Sequence, residues 1–200
     1  MKIAIDLNDV IRAYSKTFAK YYKKSIDNTI NLDEIELNSF DLSEVFQFNT
    51  KNDYYKFLYE DYSFEIFGAA SPMDKNLPSN INWWISNIIE NLDINEKIEL
   101  MLVSTMELGL TIQSTYFFLS KIGCRIREVF LPKDSIKTWD KCDVLITANP
   151  YLLDNMPDGK KSVKINMPYN IQSNSTFSFD SLEEFISDKN NILNLINNEL

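Results

Sequence analysis

The chain has 200 residues, enough to bury one ordinary hydrophobic core without disulfide or metal staples. Its 20 basic and 29 acidic residues leave a net charge of −9, which repels phosphate backbones and argues against direct nucleic-acid binding. There is no histidine, so a Ser-His-Asp triad, a Cys-His pair and a His-ligated zinc site are excluded, and any catalysis has to run on carboxylates, Lys, Ser/Thr, Tyr or a hard metal ion. The first element in chain order is Lys2-Ile3-Ala4-Ile5-Asp6, an apolar run ending in an acid, which reads as a short buried strand of a parallel sheet. From Val10 to Tyr22 the spacing of Ile11, Phe18, Tyr21 and Tyr22 predicts a helix. Residues 25–50 are polar and acidic, and the aromatic-rich stretch 53–70 reads as helical. Ser71-Pro72 and Leu77-Pro78-Ser79-Asn80 read as breaks, and an amphipathic helix is expected over Ile81–Asn91.

The pattern then becomes regular. Lys97–Val103 is a second buried strand, Thr111–Ile122 a helix closed by Gly123, and Arg125–Leu131 a third strand stopped by Pro132. Cys142–Ile146 is a fourth strand, Tyr151–Met156 a short helix or turn, and Ser162–Asn166 a fifth strand. Asp180-Ser181 opens a C-terminal helix, followed by another to Leu200. Strands alternating with helices predict an α/β fold with a parallel sheet. The gap of roughly 75 residues between the first two strands is too long for an ordinary crossover and reads as an inserted, mostly helical cap. The expected organisation is therefore an α/β core over 1–12 and 96–200, with a cap over 13–95.

No stretch of about 20 apolar residues occurs, so no membrane span is expected, and the N-terminus does not read as a signal peptide. Cys124 and Cys142 read as free thiols of a reducing compartment, which points to the cytoplasm. Asn and Ile each number more than 20, a bias toward AT-rich codons that fits a low-GC bacterium or a virus of one.

Ligands of open parallel sheets bind outside the carboxyl ends of the strands. Those ends carry Asp6-Leu7-Asn8-Asp9, Ser104-Thr105 and Thr147-Ala148-Asn149-Pro150, with Lys133, Lys137 and Lys141 in the loop before the fourth strand. This order resembles the haloacid dehalogenase (HAD) superfamily: Asp-x-Asp after the first strand, Ser/Thr after the second, a Lys, and late acids after the fourth. The cap position and Pro168-Tyr169-Asn170 resemble its 5′(3′)-deoxyribonucleotidase branch. The resemblance implies a Rossmann-like parallel sheet. It also implies Asp6 as nucleophile, Ser104 and Thr105 with Lys137 as phosphate-binding groups, and Mg²⁺ held by Asp6, the Asn8 backbone carbonyl and a late ligand at Thr147.

The match departs from the pattern twice. Asn8 replaces the acid/base aspartate, and an amide cannot donate and recover a proton at pH 7, a loss of about 10²–10⁴ in rate. Thr147-Ala148 replaces the late acids, which weakens any Mg²⁺ site. Asp9 is the one other acid near in sequence, and it is expected to face elsewhere. The resulting expectation is a HAD-like protein that does not catalyse and holds no cofactor. It would serve protein–protein assembly, with partners or further copies of itself bound through the aromatic-rich cap, Tyr54–Phe67 and Trp83-Trp84, and the virus-like composition allows a virion or tail component. Two other readings stay open: a Mg²⁺-dependent deoxynucleotide phosphatase with altered acid/base chemistry, and a phosphate or nucleotide sensor binding at Ser104 and Lys137.

Overall fold

The computed structural model describes residues 1–92 and 97–197, so the expected boundary between 95 and 96 lies outside the described residues. Six parallel strands form one sheet in the order β3-β2-β1-β4-β5-β6. They are β1 (Lys2–Asp6), β2 (Glu99–Val103), β3 (Glu128–Phe130), β4 (Val144–Thr147), β5 (Lys161–Ile165) and β6 (Phe177–Phe179). The helices are α1 (Tyr14–Ser25), α2 (Leu42–Val45), α3 (Lys51–Lys56), α4 (Ser63–Phe67), α5 (Leu77–Asn87), α6 (Thr111–Ile122), α7 (Pro150–Asp154), α8 (Leu182–Ser187) and α9 (Lys189–Asn197). The class is α/β and the sheet is Rossmann-like, with β1 between β2 and β4 at the point where the strand order reverses.

Side chains alternate across the sheet. Ile3, Ile5, Leu102, Val144, Ile146 and Val163 enter the large core, covered by α5, α6, α8 and α9. Ala4, Met101, Val103 and Leu145 enter a smaller one, against Trp139, Cys142 and Leu152. A third apolar cluster is separate from the sheet: Tyr14, Phe18, Tyr22, Leu42, Phe46, Tyr54, Phe57, Leu58, Ile66 and Phe67 pack within a helical segment over 14–67. Its rings meet in tilted and edge-on pairs such as Phe18–Phe57 at 5.1 Å and Tyr22–Phe46 at 4.8 Å, the geometry that ring quadrupoles favour.

The packing corrects several expectations. Residues 77–88 were expected in the cap, but Leu77, Ile81, Trp84, Ile85 and Ile88 belong to the sheet's large core. Leu77-Pro78 is no break. Pro78 sits in the first turn of α5, where its missing N–H costs nothing and its fixed φ favours the helix. Helix α1 starts at Tyr14 rather than Val10, because residues 7–12 coil tightly. The Leu7 carbonyl accepts N–H bonds from Ile11 at 3.0 Å and Arg12 at 2.8 Å, and Asp9 adopts φ +55°. The stretch 53–70 is helical but interrupted, with a π-helical turn at Phe57–Asp61 between α3 and α4. Strand β6 was not expected. Gly123 closes α6 at φ +64°, as its sequence position predicts.

Both connections between the helical segment and the sheet run side by side. Ala13 N donates to Ser71 O at 3.0 Å and Met73 N to Ile11 O at 2.8 Å, an antiparallel pairing. Cys124 and Cys142 are free thiols, and burial pushes the Cys142 thiol up to about 12. Among the described residues no helix is long and apolar enough to cross a membrane.

Candidate functional site

Parallel register places the candidate residues together. Asp6 lies opposite Val103 of β2, and Ile5 opposite Ile146 of β4, so Asp6 and Thr147 end adjacent strands. Thr147 Oγ1 donates to Asp6 Oδ2 at 2.7 Å and accepts from Asn149 N at 3.0 Å. Among the described residues Asp6 Oδ1 is buried without a hydrogen-bond partner. Burial raises the Asp6 carboxyl to about 7; the Thr147 bond opposes the rise and the negative charge of Glu107 adds to it. Near neutral pH Asp6 is therefore divided between acid and carboxylate.

Asn8 faces a different neighbour. Its Oδ1 accepts from Arg12 Nε at 3.0 Å and Arg12 Nη2 at 2.6 Å, and its Nδ2 donates to Ser104 Oγ at 3.3 Å. Arg12 is fully buried. Its Nη1 donates to Phe67 O at 2.9 Å and Thr115 Oγ1 at 2.8 Å, and its Nη2 to Glu107 Oε1 at 2.7 Å. Phe67 and Phe118 lie 4.9 and 5.6 Å from the guanidinium, within cation–π range. Glu107 shares the burial and accepts also from Thr115 Oγ1 at 2.9 Å and Met106 N at 3.2 Å. Each group of this network is hydrogen-bonded, which a buried ion pair needs in order to offset its desolvation.

The sequence-predicted residues divide accordingly. Asp6, Asn8, Ser104 and Thr147 cluster at the carboxyl ends of β1, β2 and β4. Thr105 joins at the rim, its Oγ1 accepting from Asn149 Nδ2 at 3.5 Å. Lys137 stays apart. It lies in a 3₁₀ turn, exposed, 3.6 Å from the exposed Asp140 carboxylate, and makes no hydrogen bond to Asp6, Asn8 or Ser104; Lys133 and Lys141 are exposed as well. Asp9 faces elsewhere, into the first turn of α1. It accepts from Ser15 N at 2.9 Å, from Ser15 Oγ and from Tyr169 OH at 3.0 Å. Asn170 ties β4 to β5, its Nδ2 donating to Ala148 O and Ile165 O.

For the divalent cation that the sequence pattern implies, the donors are few. Asp6 supplies one free carboxylate oxygen, and Thr147 a neutral hydroxyl already bound to Asp6. Among the described residues no group of three or more Asp, Glu, Cys or His converges on a metal position. Of the implied set of Asp6, the Asn8 backbone carbonyl and Thr147, only Asp6 is a carboxylate, whereas Mg²⁺ dehydrates reluctantly and favours carboxylate and phosphate oxygens.

No protein-family model and no curated protein matches the chain.

Arg12, Glu107 and Thr115 escaped the sequence reading. A signal was present: Arg12 stands in the apolar run Val10–Tyr14, and Glu107 in Met106–Leu110. A charge inside an apolar run has to be paired if it is buried, and two such charges of opposite sign point to each other.

Proposed function

We propose that this chain is a HAD-like protein with a silenced phosphatase site, used for protein–protein assembly rather than for catalysis. The single observation that carries the reading is the buried Arg12–Glu107–Asn8–Ser104 network. Ser104 and Asn8 are the groups that would meet a phosphate and its proton, and both are bound to the chain's own side chains. Asp6 keeps the nucleophile's position, but near pH 7 much of it is protonated, and a protonated carboxyl does not attack phosphorus. With one carboxylate at the strand ends, Mg²⁺ would bind weakly.

The assembly half of the reading moves away from most of the aromatic stretch. Tyr54, Phe57, Phe67 and Trp84 are consumed by internal packing. The supporting surface is the outer face of α6 together with the loop that leads into it, where Leu108, Leu110, Ile112, Tyr116 and Phe117 stand exposed beside Phe64, whose ring lies 5.0 Å from Phe117. These side chains carry no charge on a chain of net −9, so two copies can meet there without bringing acids together. Covered by a second copy, the six bury on the order of 600 Å² per protomer, about 1,200 Å² over both, which exceeds the roughly 1,000 Å² total that a specific interface needs. The partner proposed is therefore a second copy in an isologous contact.

A phosphatase assay with Mg²⁺ on a panel of deoxynucleoside monophosphates, comparing the wild type with Asp6→Asn, tests the silenced site. Equal background rates are expected. Mg²⁺-dependent hydrolysis that disappears in Asp6→Asn would instead establish the nucleotidase.

A further inference from the structure

The guanidinium of Arg12 has five N–H groups, and all five are engaged. Four go to neutral oxygens: two to Asn8 Oδ1, one to the Phe67 carbonyl and one to the Thr115 hydroxyl. The fifth goes to Glu107, the only carboxylate that Arg12 bonds among the described residues. The neutral contacts therefore fix the position of the cation, and Glu107 supplies its directly bonded counter-charge. Thr115 reinforces this division, accepting from Arg12 and donating to the same Glu107 oxygen.

Glu107 comes from a loop, not from a strand or helix. The segment from Thr105 to Leu110 joins β2 to α6 and contains Gly109 at φ +56°. The carboxylate is thus a tethered anion let down into a polar socket whose walls stand on other elements: Arg12 and Asn8 after β1, Ser104 at the end of β2 and Thr115 on α6.

We propose that Arg12 and Thr115 form an oxyanion receptor, and that Glu107 is its resident ligand, filling a place that also fits an external carboxylate or phosphate group. The inference goes beyond the silenced-phosphatase reading and shares only its buried network. Its readout is anion binding rather than hydrolysis, so the two fail separately. The receptor is preorganised, because the contacts of Arg12 to Asn8, Phe67 and Ser104 do not involve the anion, and an incoming oxyanion gains the donors that Glu107 gives up.

Chemical rescue tests it. Glu107→Ala removes one methylene and a carboxylate, the volume and charge of acetate. Thermal unfolding of Glu107→Ala and of the wild type is followed in sodium acetate, sodium phosphate and sodium chloride at matched ionic strength and pH. The expected result is that about 100 mM acetate or phosphate raises the Tm of Glu107→Ala by at least about 3 °C over chloride, with less than about 1 °C in the wild type, whose tethered carboxylate holds the site. The double variant Arg12→Met/Glu107→Met replaces the pair by apolar groups of similar length, and it is expected to fold and to lose the response. Identical melting of Glu107→Ala in all three salts would overturn the proposal, as would failure to fold in all three. A response surviving in the double variant would overturn it too, since it would report a general salt effect.

Discussion

Thr147 donates its hydroxyl hydrogen to Asp6 across 2.7 Å, joining the ends of β4 and β1 where the strand order reverses. Among the described residues it is the only side-chain hydrogen bond to this carboxylate, whose other oxygen is buried and has no partner. Thr147→Val keeps the shape and removes the donor. Asp6 then ionises at a still higher pH, and the chain loses about 1–3 kcal/mol at pH 8, the cost of a buried acceptor left unmade. Denaturant unfolding and a ¹³C-carboxyl titration of Asp6 measure the two effects.

Burial also sets the sign of the pH dependence. An unfolded aspartate ionises near 3.8, and folded Asp6 at about 7. Between those values the folded chain keeps a proton that the unfolded chain has released, so this contribution to stability is full below about pH 4 and is lost as the pH rises through 7. Asp9, raised by its own burial, acts with the same sign. The wild type is therefore expected to melt on the order of 5 °C lower at pH 8 than at pH 5. Asp6→Asn has no carboxyl to ionise at this position and flattens that slope. A Tm series from pH 5 to 8 on both forms gives the answer, and parallel curves would remove Asp6 as the cause.

Rebuilding the absent acids is expected to fail in a particular way. Asn8→Asp sets a carboxylate against the Nε and Nη2 of Arg12, where it becomes a second counter-ion rather than a proton donor. Ala148→Asp is worse, because Ala148 lies fully buried in the large core beside Ile146 and Val163. A carboxylate there costs several kcal/mol. Asn8→Asp alone should hydrolyse deoxynucleotides no faster than the wild type, and any variant containing Ala148→Asp should unfold at markedly lower denaturant. A rate rise of tenfold or more in Asn8→Asp would contradict this.

The exposed face of α6 makes a prediction about size in solution. Phe117→Glu places a charge at the centre of the apolar surface, next to Phe64. Light scattering after size exclusion is expected to give a dimer for the wild type and a monomer for Phe117→Glu, with unchanged circular dichroism, since Phe117 is about half exposed and outside the core.

Several parts of the fold were legible for physical reasons. Buried parallel strands leave apolar runs, so β1, β2 and β4 stood out, and Gly123 marked the end of α6. Strand β6 did not, because Phe177-Ser178-Phe179 is a short edge element indistinguishable from loop by pattern. The start of α1 was misplaced because only Asp9, in a left-handed conformation, delays it. Within the site, strand ends led directly to Asp6, Asn8, Ser104 and Thr147. The Arg12–Glu107 pair spans 95 positions, a distance over which neither periodicity nor spacing carries information.

The antiparallel pairing of Ile11–Ala13 with Ser71–Met73 brings the chain out of the helical segment beside the place where it went in. The segment between them therefore behaves as a cassette. Closing the gap between Ala13 and Ser71 needs only a tight turn, so a shortened chain lacking residues 14–70 has almost no loop-closure entropy to overcome. Its difficulty would lie in Arg12, which would lose the Phe67 carbonyl and the Phe67 ring. In evolutionary terms the sheet can exchange this cassette for another without changing its own strand order, provided the newcomer offers one carbonyl and one aromatic ring to the same arginine.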